Sequence, residues 1–175
     1  MENTLSNNNE VIIKRIESIL DKVMDPEVPV LSVRDLGIIR EIHYNTNNGE
    51  NHLTVTITPT YSGCPALNRI KSDIYQSLAA NGFNNVEVRE VLSPAWTTDW
   101  MSSEGKDKLK AYGIAPPTPV PIVCDLNLFM HQEAIQCPRC NSYNTKLISM
   151  FGSTPCKALY ACSDCKEPFD HFKCH

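Results

Sequence analysis

Four cysteines near the C-terminus have the spacing of a thiolate metal site. Cys137-Pro138-Arg139-Cys140 and Cys162-Ser163-Asp164-Cys165 each leave two residues between their sulfurs. That interval lets both thiolates of a pair turn onto one ion, and two such knuckles complete a tetrahedron. Twenty-one residues separate the knuckles, one more than ribbon modules usually have and within what a hairpin tip absorbs. A segment of 39 residues, 137–175, cannot bury enough apolar surface to fold unaided. Metal binding would supply the difference, about 10–16 kcal/mol for structural zinc in small peptides. Four thiolates suit zinc first and a rubredoxin-like iron second, and residue types do not separate the two.

Cys156, Cys174, His171 and His175 remain in the same segment. They are soft ligands close to a filled site, suited to a labile second metal site or to replacing a knuckle ligand during metal handover. The competing expectation is that Cys156 packs as a small hydrophobe and that the terminal Cys174-His175 pair frays. Cys124 and His131 read as packing residues of a connecting segment.

Cys64 is the chemically informative residue of the first half. In Gly63-Cys64-Pro65 the proline suits a first helical position, which would make Cys64 the N-cap. Unpaired N–H groups and the positive end of the helix dipole would then favour its thiolate, the form that attacks or ligates. The alternative is an inert buried cysteine. Asp25, Glu27 and Asp35 either cap turns around their prolines or line the same cleft as Cys64. A cysteine nucleophile normally has a histidine base; His43 and His52 lie on a predicted hairpin, and nothing places either beside Cys64. With no acid–base pair, phosphate loop or nucleotide fingerprint, turnover of a small molecule is not indicated.

These groups need a scaffold. After a disordered leader, residues 1–10, the apolar positions from Val11 to Met24 follow helical spacing, and Asp25-Pro26 ends the helix. A strand over Ile38 to Tyr44, a turn over Asn45-Thr46-Asn47-Asn48-Gly49 and a strictly alternating strand over Leu53 to Thr58 predict a hairpin. Leu67, Ile70, Ile74 and Leu78 then mark one helical face that stops at Asn81-Gly82, and a strand follows over Val86 to Leu92. This α-β-β-α-β order predicts a small α+β domain over 11–114. A proline-rich linker and connecting segment, 115–136, leads to the metal module, 137–175.

Composition narrows the partners. Formal net charge is −4 and pI about 5.7, so no global positive field recruits nucleic acid. Within 137–175 five Lys/Arg face three Asp/Glu, a weak field for a nucleic-acid-binding ribbon. There is no signal-peptide pattern and no apolar run of the ~20 residues that span a bilayer. The expectation is a cytoplasmic chain with reduced thiols rather than a secreted disulfide framework.

Two sets of residues carry a resemblance. Asp25-Pro26-Glu27-Val28-Pro29-Val30-Leu31-Ser32-Val33-Arg34-Asp35-Leu36-Gly37, with Pro59-Thr60-Tyr61-Ser62-Gly63-Cys64-Pro65-Ala66, resembles the DUF59 family, small α+β proteins linked to iron–sulfur cluster assembly that include SufT-like proteins. The resemblance implies that Cys64 is tied to function, with Asp25–Glu27 as a hallmark. Ser93-Pro94-Ala95-Trp96-Thr97-Thr98-Asp99-Trp100, Phe151 to Tyr160 and Cys162 to His175 resemble PaaD-type subunits of phenylacetyl-CoA epoxidase systems. That likeness implies a non-catalytic accessory role: maturing or inserting a metal centre, with Cys64, Asp25 and Glu27 relaying iron or an iron–sulfur cluster. The implied partners are the oxygenase and reductase subunits and iron–sulfur assembly proteins, with a homodimer left open. The alternatives are a nucleic-acid-binding ribbon and an electron-transfer subunit.

Overall fold

The computed structural model describes residues 2–47, 50–117 and 135–173 of the 175. The chain forms two compact units, one running to Trp96 and including Trp100–Ser102, the other made of Thr97–Asp99 and the residues from Ser103 on.

The first unit is built on a three-stranded sheet, order β1-β2-β3, from β1 (Ile39–Asn47), β2 (Glu50–Ile57) and β3 (Val86–Glu90). β1 and β2 are antiparallel, while β2 and β3 are parallel. A parallel pair needs a crossover, and α2 (Leu67–Ala80) supplies it. Leu53, Val55 and Ile57 are buried, as are Leu67, Ile70, Ile74 and Leu78 of α2, so the two periodicities meet in one core. Asn81 is the C-cap of α2 and Gly82 adopts φ +93°, the left-handed stop expected of that pair. α1 (Glu2–Leu20) packs on α2 and β1.

α1 differs from expectation at both ends. It begins at Glu2, so residues 2–10 are helical rather than a disordered leader; a helix nucleated by its apolar stripe propagates through polar residues at little cost. It stops at Leu20 rather than Met24, because Met24 makes an antiparallel bridge to Ser32 and the N–H of Val33 donates to the carbonyl of Val23 at 2.9 Å. This pairing ties the Asp25–Leu31 loop closed. Gly37 has φ +66°, and a Cβ there would lie 2.0 Å from the Trp100 carbonyl oxygen. Only glycine admits that approach.

After Thr97–Asp99 the second unit continues with α3 (Ser103–Tyr112), which periodicity missed because Leu109 and Gly105 are its only buried positions. Gly113, at φ +94°, ends it. Ala115 then makes a parallel bridge to His171, so Ala115 belongs to the ribbon's edge rather than to a free linker. The ribbon is an antiparallel sheet, order β4-β5-β6, of β4 (Thr145–Ser149), β5 (Lys157–Cys162) and β6 (Pro168–Phe172). Its core joins Ala115, Ile135, Cys137, Cys162 and Phe169, with Tyr160 and Cys165 packed against them. Among the described residues, no helix is long and apolar enough to cross a membrane.

Candidate metal-handling sites

Each unit carries a cysteine site. In the ribbon, the sulfurs of Cys137, Cys140, Cys162 and Cys165 all lie within 4.8 Å of one another. Cys137 and Cys165 are 3.8 Å apart, and Cys140 and Cys162 3.5 Å. A tetrahedron with metal–sulfur bonds of about 2.3 Å has edges of about 3.8 Å, so the cage has the size of a tetrathiolate metal centre. The sulfurs are also much too far apart for the ~2.05 Å of a disulfide, and all four cysteines are free.

The two knuckles repeat one backbone design. In the first, the N–H of Asn141 donates to the Cys137 carbonyl at 2.9 Å and Asn141 turns through φ +61°; in the second, the N–H of Lys166 donates to the Cys162 carbonyl at 3.1 Å with φ +66°. That reversal aims following N–H groups at the sulfurs, Ser142 at Cys140 and Glu167 at Cys165. Asp164 crosses between the knuckles, accepting from Asn144 Nδ2 at 2.7 Å and from the Ser142 hydroxyl. Four thiols this close cannot all ionise without a cation. The backbone N–H of Cys165 leads those that bring the Cys162 thiol down to about 7. At Cys140 the Ser142 N–H pulls the same way, but desolvation and the neighbouring sulfurs outweigh it and push the pKa up to about 12. A divalent ion resolves that conflict by replacing the protons with one shared cation of charge +2. The four cysteines form a metal-binding site.

In the first unit, β2 runs out at Ile57 and the chain crosses to Cys64. Gly63 reverses the backbone at φ +84° with nothing within 4 Å of its Cβ position, so conformation rather than crowding calls for glycine. The helix then opens later than the sequence suggests. Its N-cap is Ala66, and the N–H of Leu67 donates to the Cys64 carbonyl at 3.2 Å. Pro65 sits in this entry turn, and Cys64 stands two residues before the cap, where the helix dipole has weakened.

The expected low-pKa thiolate is therefore corrected. Burial pushes the Cys64 thiol above its ordinary value, and the carboxylates of Glu27 and Asp25 push the same way; bonds to the sulfur from the Ala66 N–H and the Tyr61 hydroxyl oppose them without prevailing. Cys64 remains partly exposed. Glu27 and Asp25 thus lie within electrostatic reach of the sulfur. Asp25 also builds its own loop: Oδ1 accepts the N–H groups of Glu27 at 2.8 Å and Val28 at 2.7 Å. Asp35 is a structural tie instead, accepting from Ser32 N–H and Oγ at 2.9 and 3.0 Å and from Ser102 Oγ at 3.0 Å. Sequence reasoning missed Tyr61; an aromatic hydroxyl three residues before Cys64, in a loop of small residues, was the available signal.

Of the other ribbon residues singled out by type, Cys156 is buried beside Thr154, with 3.0 Å between Sγ and Oγ1. His171 is buried edge-on to Tyr160. Cys124, His131, Cys174 and His175 lie outside the described residues, as do Asn48 and Gly49 of the predicted turn; Asn45, Thr46 and Asn47 of that turn are strand instead, because they continue the ladder with His52, Asn51 and Glu50.

Comparison with known proteins follows the same division. Residues 13–90 match the family model described as iron-sulfur cluster assembly protein, and residues 125–173 the PaaD zinc beta ribbon domain. An Escherichia coli protein that carries the name of a 1,2-phenylacetyl-CoA epoxidase subunit is 46% identical over 162 residues, 93% of either chain. A Porphyromonas gingivalis protein named Fe-S protein maturation auxiliary factor is 34% identical over 59% of this chain and 92% of its own. The crystal structure of a DUF59 domain of unknown function from Bacillus anthracis superimposes with a TM-score of 0.52 at 30% identity, covering 57% of this chain and 92% of that one.

Proposed function

The chain belongs to the PaaD family, and from that premise we propose that it serves a 1,2-phenylacetyl-CoA epoxidase as an accessory subunit that matures an iron or iron–sulfur centre of the oxygenase or reductase. The observation that carries this reading is the Cys64 thiol flanked by Glu27 and Asp25 in an iron–sulfur assembly domain. Burial first, and the two carboxylates after it, make the anion of this thiol costly. The same negative field favours a metal cation, so the site exchanges a proton for iron rather than holding a free thiolate. Loading is a ligand exchange: the Cys64 sulfur bonds to iron(II) as the iron bond to one ligand of the donor breaks, and the proton released from the thiol leaves with that ligand or passes to water. Release is the reverse: a client ligand displaces Cys64, which is reprotonated. The cargo is substrate, supplied by iron–sulfur assembly proteins in the cytoplasm.

The ribbon has a different task. Cys137, Cys140, Cys162 and Cys165 hold a resident ion, zinc in this proposal, which builds the module that recognises the client; four thiolates closed around one ion leave it no open position for chemistry.

The test replaces Cys64 by Ser and measures epoxidase activity in cells together with the iron content of the purified oxygenase and reductase. Loss of both, with the variant folded and its ribbon metal retained, is the expected result. Full epoxidase activity in Cys64→Ser cells would overturn the relay. Elemental analysis of anaerobically purified protein decides the resident ion, and an iron–thiolate absorption that bleaches on reduction would overturn zinc.

A further inference from the structure

We propose that Cys156 and His171 form a second, weaker site for a thiophilic divalent cation, built on the face of the β5–β6 pair that also carries Cys162. The register brings them together. Ala158 opposes His171 in the ladder, and the N–H of Lys173 donates to the Cys156 carbonyl at 3.0 Å. Side chains alternate along a strand, so Cys156, Ala158, His171 and Lys173 share one face, with Cys156 and His171 as diagonal neighbours. Such neighbours are about 7–8 Å apart at Cα and less at Cβ, a span that a thiolate and an imidazole close around one ion.

His171 gives the independent sign of a ligand. Its residue is only 9% exposed, and its buried Nε2 has no hydrogen-bond partner among the described residues. A buried polar atom left unpaired is costly, and coordination is what an imidazole nitrogen in that position lacks. Burial also keeps the ring neutral, the form that ligates. Binding converts Cys156–SH and the free cation into a metal–sulfur bond and a released proton; the imidazole adds with its lone pair, and water completes the coordination sphere.

Lys173 limits the affinity. Its ammonium donates to the Met150 carbonyl at 2.7 Å and lies 4.4 Å from the centre of the Phe151 ring. Its charge acts on the His171 ring, and the Cys156 sulfur acts on it in turn. A cation at this site meets that repulsion, so the site fills after the four-cysteine centre and exchanges more readily.

The inference does not rest on Cys64, and its test removes that residue. Metal-free, reduced, full-length Cys64→Ser protein is titrated with Co(II) and followed by d–d and sulfur-to-cobalt absorption. The expected course is one tight equivalent with four-thiolate intensity, then a second, weaker equivalent adding the charge-transfer band of a single thiolate. Cys156→Ser and His171→Gln each lose the second equivalent and keep the first, which also reports that the ribbon is folded. Lys173→Met tightens the second by about threefold or more as the repulsion is removed. A titration that saturates at one equivalent, or a second equivalent surviving in either variant, overturns the proposal.

Discussion

The sulfurs of Cys137 and Cys165 face each other at 3.8 Å across two knuckles that are mirror copies in function though far apart in the chain. Neither knuckle alone closes a cage; the β4–β5 pairing, with Thr145 opposite Cys162, brings the second to the first. Replacing Cys137 by Ser therefore removes one corner of a shared ion. We expect loss of the metal and unfolding of residues 135–173, with the first unit still folded, checked by elemental analysis and amide exchange. Retention of a full metal equivalent would contradict the shared cage.

Gly37 offers a test of the first unit. Alanine there must hold a left-handed backbone and would put its methyl 2.0 Å from the Trp100 carbonyl oxygen, which is backbone and cannot swing aside. We expect a loss of about 3 kcal/mol or more in urea unfolding. A cost below about 1 kcal/mol would mean that the Trp100 segment moves away freely.

Asp35 ties Ser32 to Ser102 through bonds to both carboxylate oxygens. Asp35→Ala removes the acceptor from the buried Ser32 donors and from the half-buried Ser102 hydroxyl, and a destabilisation of about 2–3 kcal/mol is expected. Asp35→Asn keeps one acceptor oxygen and should cost less. If the two variants lost the same amount, the carboxylate's double role would not be what matters.

His171 makes the ribbon acid-sensitive. Its folded pKa is depressed from 6.5 to about 4, first by burial and then by the charge of Lys173. A depressed base costs nothing above the unfolded value; the native state loses stability as pH falls from about 6.5 towards 4, where the unfolded chain binds a proton that the folded one refuses. Between pH 7 and pH 5 the loss is about 2 kcal/mol. His171→Leu should remove that increment. With one metal equivalent bound in both proteins, metal loss at low pH affects them alike, and the difference in unfolding free energy at the two pH values isolates the imidazole. An unchanged pH slope in the variant would rule the effect out.

Much of this architecture is local and therefore readable. A Cys-x-x-Cys knuckle is a property of four consecutive residues, so the ligand set can be named before any fold is known. The face of α2 is equally local, since Leu67, Ile70, Ile74 and Leu78 repeat at the helical period and all are buried. α3 was illegible for the converse reason: its lysines and acids outnumber its two buried positions, so no stripe stands out.

What residue order could not decide was the chemistry of Cys64. Local reasoning sees a proline, a helix and a dipole, and predicts a stabilised anion. The tertiary fold instead inserts an entry turn, partly buries the sulfur and brings up carboxylates from a loop almost forty residues earlier, and these reverse the sign. Spacing within a few residues governs which atoms can share an ion. The free energy of charging a group depends on everything within a few ångströms of it, and only the folded chain determines what that is.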